Sequence, residues 1–95
     1  MDINKALRTA ISSGEVRIGL KETRKSVAAG SAKLLIASSS LPTEQLRELK
    51  ASKTPIYTFK GTNMDLGFAC GKPFSISVLA VISPGGSDIL ALRGE

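Results

Sequence analysis

The sequence predicts an α/β fold, a sheet with helices on both of its faces. Two observations carry this. Segments with helical apolar spacing alternate with short apolar runs along nearly the whole chain, the order that lays helices over a sheet as crossovers. The run from Ile76 to Ile82 is almost unbroken in apolar residues, as a strand buried on both faces requires. At 95 residues the chain, residues 1–95, holds one domain, because a core of this size leaves nothing over for a second.

The elements follow in order. Ile3, Ala6, Leu7, Ala10 and Ile11 recur at i, i+3, i+4, i+7 and i+8, one apolar stripe of an amphipathic helix that Ser13-Gly14 ends. Val16-Arg17-Ile18 alternates as a short strand. Gly19 turns the chain into a second helix, about Leu20 to Ala29, stopped by Gly30, with Leu20, Thr23, Val27 and Ala28 inward. Ala32 to Ala37 reads as a buried strand with a polar stop at Ser38-Ser39-Ser40. Pro42 suits the first turn of a third helix, running to about Ser52 and burying Leu46 and Leu49. Ile56 to Phe59 is a strand after Pro55. Thr62-Asn63-Met64-Asp65 has the form of a helix start, and Gly71 fits just past that helix's end. The strand from Ile76 to Ile82 leads to a Pro84-Gly85-Gly86 turn, and Ser87-Asp88 suits the cap of a last short helical turn before Leu92. Parallel strands joined through helices should cross over right-handed.

Composition narrows the function. The hydrophobic fraction is 42% and the charged fraction 22%, ordinary for a soluble globular domain and inconsistent with disorder. Cys70 is the one cysteine and there is no histidine. A disulfide framework, a Cys/His zinc site and a Ser-His-Asp triad are therefore excluded, and no cofactor is implied. The lone thiol fits a reducing cytoplasm. No apolar run approaches the ~20 residues that span a bilayer, and Met1-Asp2-Ile3-Asn4-Lys5 does not open a signal peptide, so no membrane partner is expected. Thirteen Lys and Arg against eight Asp and Glu give a net charge of +5. A small basic domain attracts polyanions, nucleic acid foremost. Tyr57, Phe59, Phe68 and Phe74 are the only aromatics, too few for a stacking sheet of the RRM type.

Two segments have the residues to meet RNA. In Gly19-Leu20-Lys21-Glu22-Thr23-Arg24-Lys25, glycine permits close backbone approach and the helix N-terminus offers free N–H groups to phosphate. At 100° per residue Lys21, Arg24 and Lys25 fall within one ~100° arc, a basic stripe opposite the apolar one. A merely solvated helix face would have the same pattern. In the second segment, Leu66 to Ile76, a Gly71-Lys72-Pro73 loop presents Phe74 and Ile76 before the long strand. Apolar side chains beside a lysine can cover unstacked bases. Core packing is the plainer reading of Ile76, while for Phe74, on the loop side, the pattern leaves both open. Glu44 and Glu48 share a helix face with Arg47 and Lys50 nearby and read as surface charges, no acidic cluster resembles a metal or acid/base site, and Cys70 reads as a small buried hydrophobe.

Together and in this order these segments resemble the kink-turn-binding superfamily of ribosomal proteins, and within it the thirty-e family of the archaeal and eukaryotic large subunit. The likeness rests on Gly19-Leu20-Lys21, on Ala32-Lys33-Leu34-Leu35-Ile36-Ala37, and on Gly61-Thr62-Asn63-Met64-Asp65-Leu66-Gly67. It continues through Gly71-Lys72-Pro73-Phe74-Ser75-Ile76 and Gly86-Ser87-Asp88-Ile89-Leu90-Ala91-Leu92. The resemblance implies a three-layer α/β/α sandwich with a four-stranded mixed sheet. It implies a non-enzymatic protein of the cytoplasmic ribosome, monomeric outside it, that binds a kink-turn in ribosomal RNA and touches neighbouring ribosomal proteins. Carried over by position, Gly19 and Leu20 would open the RNA-facing helix, Lys21 would contact guanine edges or phosphate, and Arg24 and Lys25 would be phosphate partners. Phe74 and Ile76 would form an apolar wall, with Lys72 beside the RNA backbone. Relatives often have an asparagine in the loop after the second strand; here Ser38-Ser39-Ser40-Leu41-Pro42 stands there, and Ser40, which donates and accepts with a shorter reach, takes the equivalent place. The short length and basic charge lean towards an archaeal source.

Two other functions fit an α/β domain of this size. A protein-binding adaptor on the same scaffold would expose an apolar patch away from the basic stripe. A nucleotide-binding enzyme would use a strand end, but the chain lacks histidine, a carboxylate cluster and a Walker-type glycine-lysine loop.

Overall fold

The computed structural model describes residues 2–92. It contains four helices, four strands and a closing 3-10 turn, in the order α1 (Ile3–Ser13), β1 (Glu15–Ile18), α2 (Leu20–Ala28), β2 (Leu34–Ser38), α3 (Thr43–Lys50), β3 (Ile56–Phe59), α4 (Asn63–Ala69) and β4 (Val78–Ser83), then the turn Ile89–Ala91. The sheet order is β1-β4-β2-β3. β4 runs antiparallel to β1 and to β2, and β2 runs parallel to β3. The sheet is therefore mixed, as the resemblance implied.

The layers follow from the period-two alternation of strand side chains. Leu34 and Ile36 of β2, with Leu79 and Val81 of β4, join Ala6, Leu7 and Ala10 of α1 and Leu66 and Ala69 of α4 in one buried cluster. Leu35, Ala37, Val78 and Ala80 face the other way, against Leu49 of α3 and partly buried Leu20 and Val27 of α2. Hence α1 and α4 cover one face, α2 and α3 the other, and the centre of the sheet is buried on both sides.

Local chemistry sets the helix ends. Asp2 caps α1 by accepting from the Lys5 backbone N–H at 3.1 Å. Thr62 and Asp65 form a reciprocal capping box at α4, satisfying two N–H groups the helix start would leave unpaired. Gly71 follows the C-cap of α4, as expected from sequence. The closing turn is capped by Ser87, whose Oγ accepts from the Ile89 N–H at 3.1 Å and donates to the Ala6 carbonyl at 2.6 Å. Asp88 makes no side-chain cap bond there.

Other sequence expectations are corrected. Ala28 is exposed, and Ser26 is buried in its place. At 100° per residue Ala28 lies about 140° round the helix from buried Thr23, outside the inward arc. Leu46 is only partly buried. β2 begins at Leu34 rather than Ala32, because the Ser31 and Ala32 N–H groups turn back to the Ser26 carbonyl at 3.0 and 3.4 Å. β4 begins at Val78 rather than Ile76, because the Ile76 N–H bonds the Asn63 carbonyl at 2.9 Å, off the sheet ladder.

Candidate nucleic-acid interface

Since β4 is antiparallel to β1 and β2, and β2 is parallel to β3, the strands β1, β2 and β3 all point the same way. Their C-terminal ends arrive at one end of the sheet, where β4 starts. The pairings Ile18–Leu79 and Ala37–Val78 mark that line. The loops into α2, α3 and α4 and the segment entering β4 therefore meet at a single place.

Backbone hydrogen bonds bind them together. The Gly19 N–H donates to the Val78 carbonyl at 2.9 Å, and the Ser38 N–H to the Ser77 carbonyl at 2.8 Å. The Ser39 N–H donates to the Gly61 carbonyl at 2.8 Å, and the Ser39 hydroxyl to the same oxygen at 2.7 Å. The Ser38 hydroxyl donates to Asn63 Oδ1 and accepts from the Ser40 N–H at 3.2 Å. Asn63 thus joins the end of β2, the start of α4 and the entry to β4. Nothing in the linear spacing connects Asn63 to Ser38.

At the tip of α2, Gly19 adopts φ 102°, ψ 158°, a region essentially reserved for glycine. A Cβ built there would meet no atom beyond the neighbouring residues within 4 Å, so the space over this backbone is open. Leu20 is partly buried against the α2/α3 side of the core, and anchors the tip rather than presenting a side chain. Lys21, Arg24 and Lys25 are all exposed, but they differ in their partners. Arg24 Nε and Nη2 donate to the two carboxylate oxygens of Glu48 on α3, at 2.7 and 2.8 Å. These hydrogen bonds hold the Glu48 carboxyl below its ordinary value and raise the arginine further. Glu48 is a surface charge, as the sequence suggests, and its partner is Arg24 of α2. Lys25 Nζ lies 3.7 Å from Glu22 of its own helix.

The second segment divides between surface and core. Gly67 of α4 is where the loop folds back: a Cβ there would lie 1.9 Å from the Phe74 carbonyl oxygen. The chain can lie this close only against glycine, and the contact sets where Phe74 stands. Phe74 is 51% exposed, whereas Ile76 is 2% exposed and packs with α1 and α4. The wall assigned to both is corrected for Ile76, whose side chain is consumed by the core; the plain reading of its pattern was the right one. Lys72 is partly buried and Ser40 exposed. Cys70 is buried, and burial pushes its thiol up to about 11, in keeping with a packing role.

Phe74 and the tip of α2 are close by construction. Four residues separate Phe74 from Val78, so the chain allows no more than about 14 Å between the phenylalanine backbone and the residue bonded to Gly19. Gly19, Lys21, Ser40 and Phe74 come from segments that all end at this place. Met64 and Phe68, one helical turn apart on α4, are also exposed, at 60% and 69%.

The fold is a small α/β/α sandwich that presents, at this end of its sheet, a cationic helix tip, backbone donors and an aromatic ring from adjoining loops. The chain belongs to the ribosomal protein L7Ae/L30e/S12e/Gadd45 family, whose profile matches residues 1–91, a family of structural rather than catalytic proteins. It is similar to the large ribosomal subunit protein eL30 of Methanothermobacter thermautotrophicus, 40% identical over 99 residues that cover 99% of this chain and 100% of the relative. It is similar also to the eL30 proteins of Methanothrix thermoacetophila, at 40% identity over 100% of this chain and 92% of the relative, and of Methanospirillum hungatei, at 44% identity over 97% and 98%.

Proposed function

We propose that this protein is a structural constituent of the cytoplasmic large ribosomal subunit and binds a kink-turn in ribosomal RNA with the end of the sheet just described. The convergence of the β1–α2, β2–α3 and β3–α4 loops on the start of β4 carries the reading. Regular A-form RNA hides its base edges in a narrow groove, so side chains read RNA where it is bent or unpaired. A helix tip and an exposed aromatic held a short span apart suit a duplex already folded back on itself. Lys21 in the first turn of α2 is unfavourably placed for the helix dipole itself, and the placement gains meaning when a phosphate approaches the same N–H groups. The relatives named above are large-subunit proteins, which supports the ribosomal assignment. Binding only the bent form would shift a kink-turn towards it.

The test is affinity for a kink-turn oligonucleotide against a straight duplex of equal length. The parent should prefer the kink-turn, and Lys21→Glu with Lys25→Glu should remove most of that preference; unchanged binding would eliminate the interface. In native extract the protein should sediment with large subunits.

A second reading concerns another face. Met64 and Phe68 expose an apolar strip on α4, across the sheet from the basic stripe of α2, which favours a protein neighbour there. Such an association should survive nuclease treatment and be lost in Met64→Ser/Phe68→Ser.

A further inference from the structure

The α2 stripe carries three cations, but their surroundings are unequal. Among the ion pairs of the described residues, Arg24–Glu48 joins two helices, while Glu15–Arg17 and Glu22–Lys25 are local to one element. It is a two-pronged fork, Nε and Nη2 each on its own carboxylate oxygen at 2.7 and 2.8 Å. That geometry fixes the orientation of both side chains. The residues it ties sit on neighbouring helices over the same sheet face. The pair is half-exposed, where an ion pair adds little to global stability, so its consequence is geometric and electrostatic. The N-cap of α2, Gly19, supplies no side-chain bond. The fork therefore tethers the outer side of a helix whose inner side is held by Leu20, buried Thr23 and the Gly19 N–H.

We propose that Arg24 is a positioning residue, clasped by Glu48 to set α2 against α3, and that Lys21 rather than Arg24 meets the RNA backbone. This rests on the kink-turn reading above. A phosphate taking the Nε and Nη2 edge of Arg24 would displace Glu48 and leave that carboxylate unpaired beside a polyanion, and at the remaining Nη1 edge the arginine charge is already offset by Glu48. While clasped, Arg24 is neutralised locally and releases no counterion when RNA binds.

The experiment is the salt dependence of affinity for a kink-turn oligonucleotide, in parent, Lys21→Gln, Arg24→Gln and the exchange Arg24→Glu/Glu48→Arg, each checked for folding by urea denaturation. Each phosphate contact contributes about 0.7–0.9 to the slope of log affinity against log salt. Lys21→Gln should lower the slope by about that amount. Arg24→Gln should weaken binding roughly three- to ten-fold, about 0.7–1.4 kcal/mol, with the slope unchanged. The exchange, which rebuilds the clasp with its charges reversed, should restore affinity to within about three-fold of the parent. A slope that falls in Arg24→Gln as far as in Lys21→Gln overturns the proposal and makes Arg24 a phosphate ligand. Parent-like affinity in Arg24→Gln overturns it too, since then the clasp positions nothing. Arg24→Gln decides the matter alone if the exchange does not fold. A parent that fails to distinguish kink-turn from duplex refutes the RNA reading instead.

Discussion

The N–H of Gly19 donates to the carbonyl of Val78 at 2.9 Å, and this bond locks the tip of α2 to the start of β4. Residues 59 positions apart in the chain thereby form one surface. Gly19 makes the bond while holding a backbone conformation that other residues adopt only under strain.

Gly19→Ala should therefore destabilise the fold by about 1–3 kcal/mol, the strain of a non-glycine residue in that region. No clash with another part of the fold contributes, since no atom beyond the neighbouring residues lies within 4 Å of the added Cβ. Urea denaturation checks the magnitude. A loss below a few tenths of a kcal/mol would show that the tip relaxes freely.

Gly67→Ala acts through contact rather than dihedral angle. The added carbon would stand 1.9 Å from the Phe74 carbonyl oxygen, so the loop must move. We expect a loss of about 1–3 kcal/mol, as for overpacking, together with weaker kink-turn binding as Phe74 is displaced. Denaturation and RNA affinity, measured on the same sample, should change together.

Phe74→Ala and Ile76→Ala should separate binding from stability. Phe74 is half-exposed, so its removal should cost under about 1 kcal/mol of stability yet about 1–3 kcal/mol of RNA affinity if a base rests on the ring. Ile76 is buried, and its truncation should cost about 2–5 kcal/mol of stability. Equal effects of the two substitutions on RNA affinity, once folding is corrected for, would contradict the division between them.

Cys70 adds a pH dependence. Burial raises its thiol from 9.0 to about 11 in the folded state. The unfolded chain loses this proton first, so the stabilising contribution is complete below pH about 9, declines above it, and is lost as pH passes about 11. The comparison is with Cys70→Ala, whose stability should fall less steeply from pH 9 to 11. Below pH 8 a thiol reagent should modify the native protein far more slowly than the unfolded chain.

The order of elements was readable from the sequence because its signals are local. The Ile3–Ile11 stripe, the Thr62–Asp65 cap and the apolar run into β4 each act over a few neighbouring residues, and each appears in the structure. The candidate site was readable in part. Lys21 and Phe74 lie on the surface, as the resemblance implied. Ile76 does not, because whether a strand-entry residue faces solvent depends on which helices cover it. Asn63 went unnoticed as a site residue because its partner, Ser38, is 25 positions away.

Helix and strand periods, caps and turn residues are properties of short stretches of chain, so residue order alone settled the alternation of elements and the two-sided burial of the sheet. Strand direction and order arise from pairings between distant segments, which no local pattern encodes. Only those pairings gathered the β1, β2 and β3 ends beside β4, turned Arg24 towards Glu48, and drew Ile76 into the core while leaving Phe74 exposed.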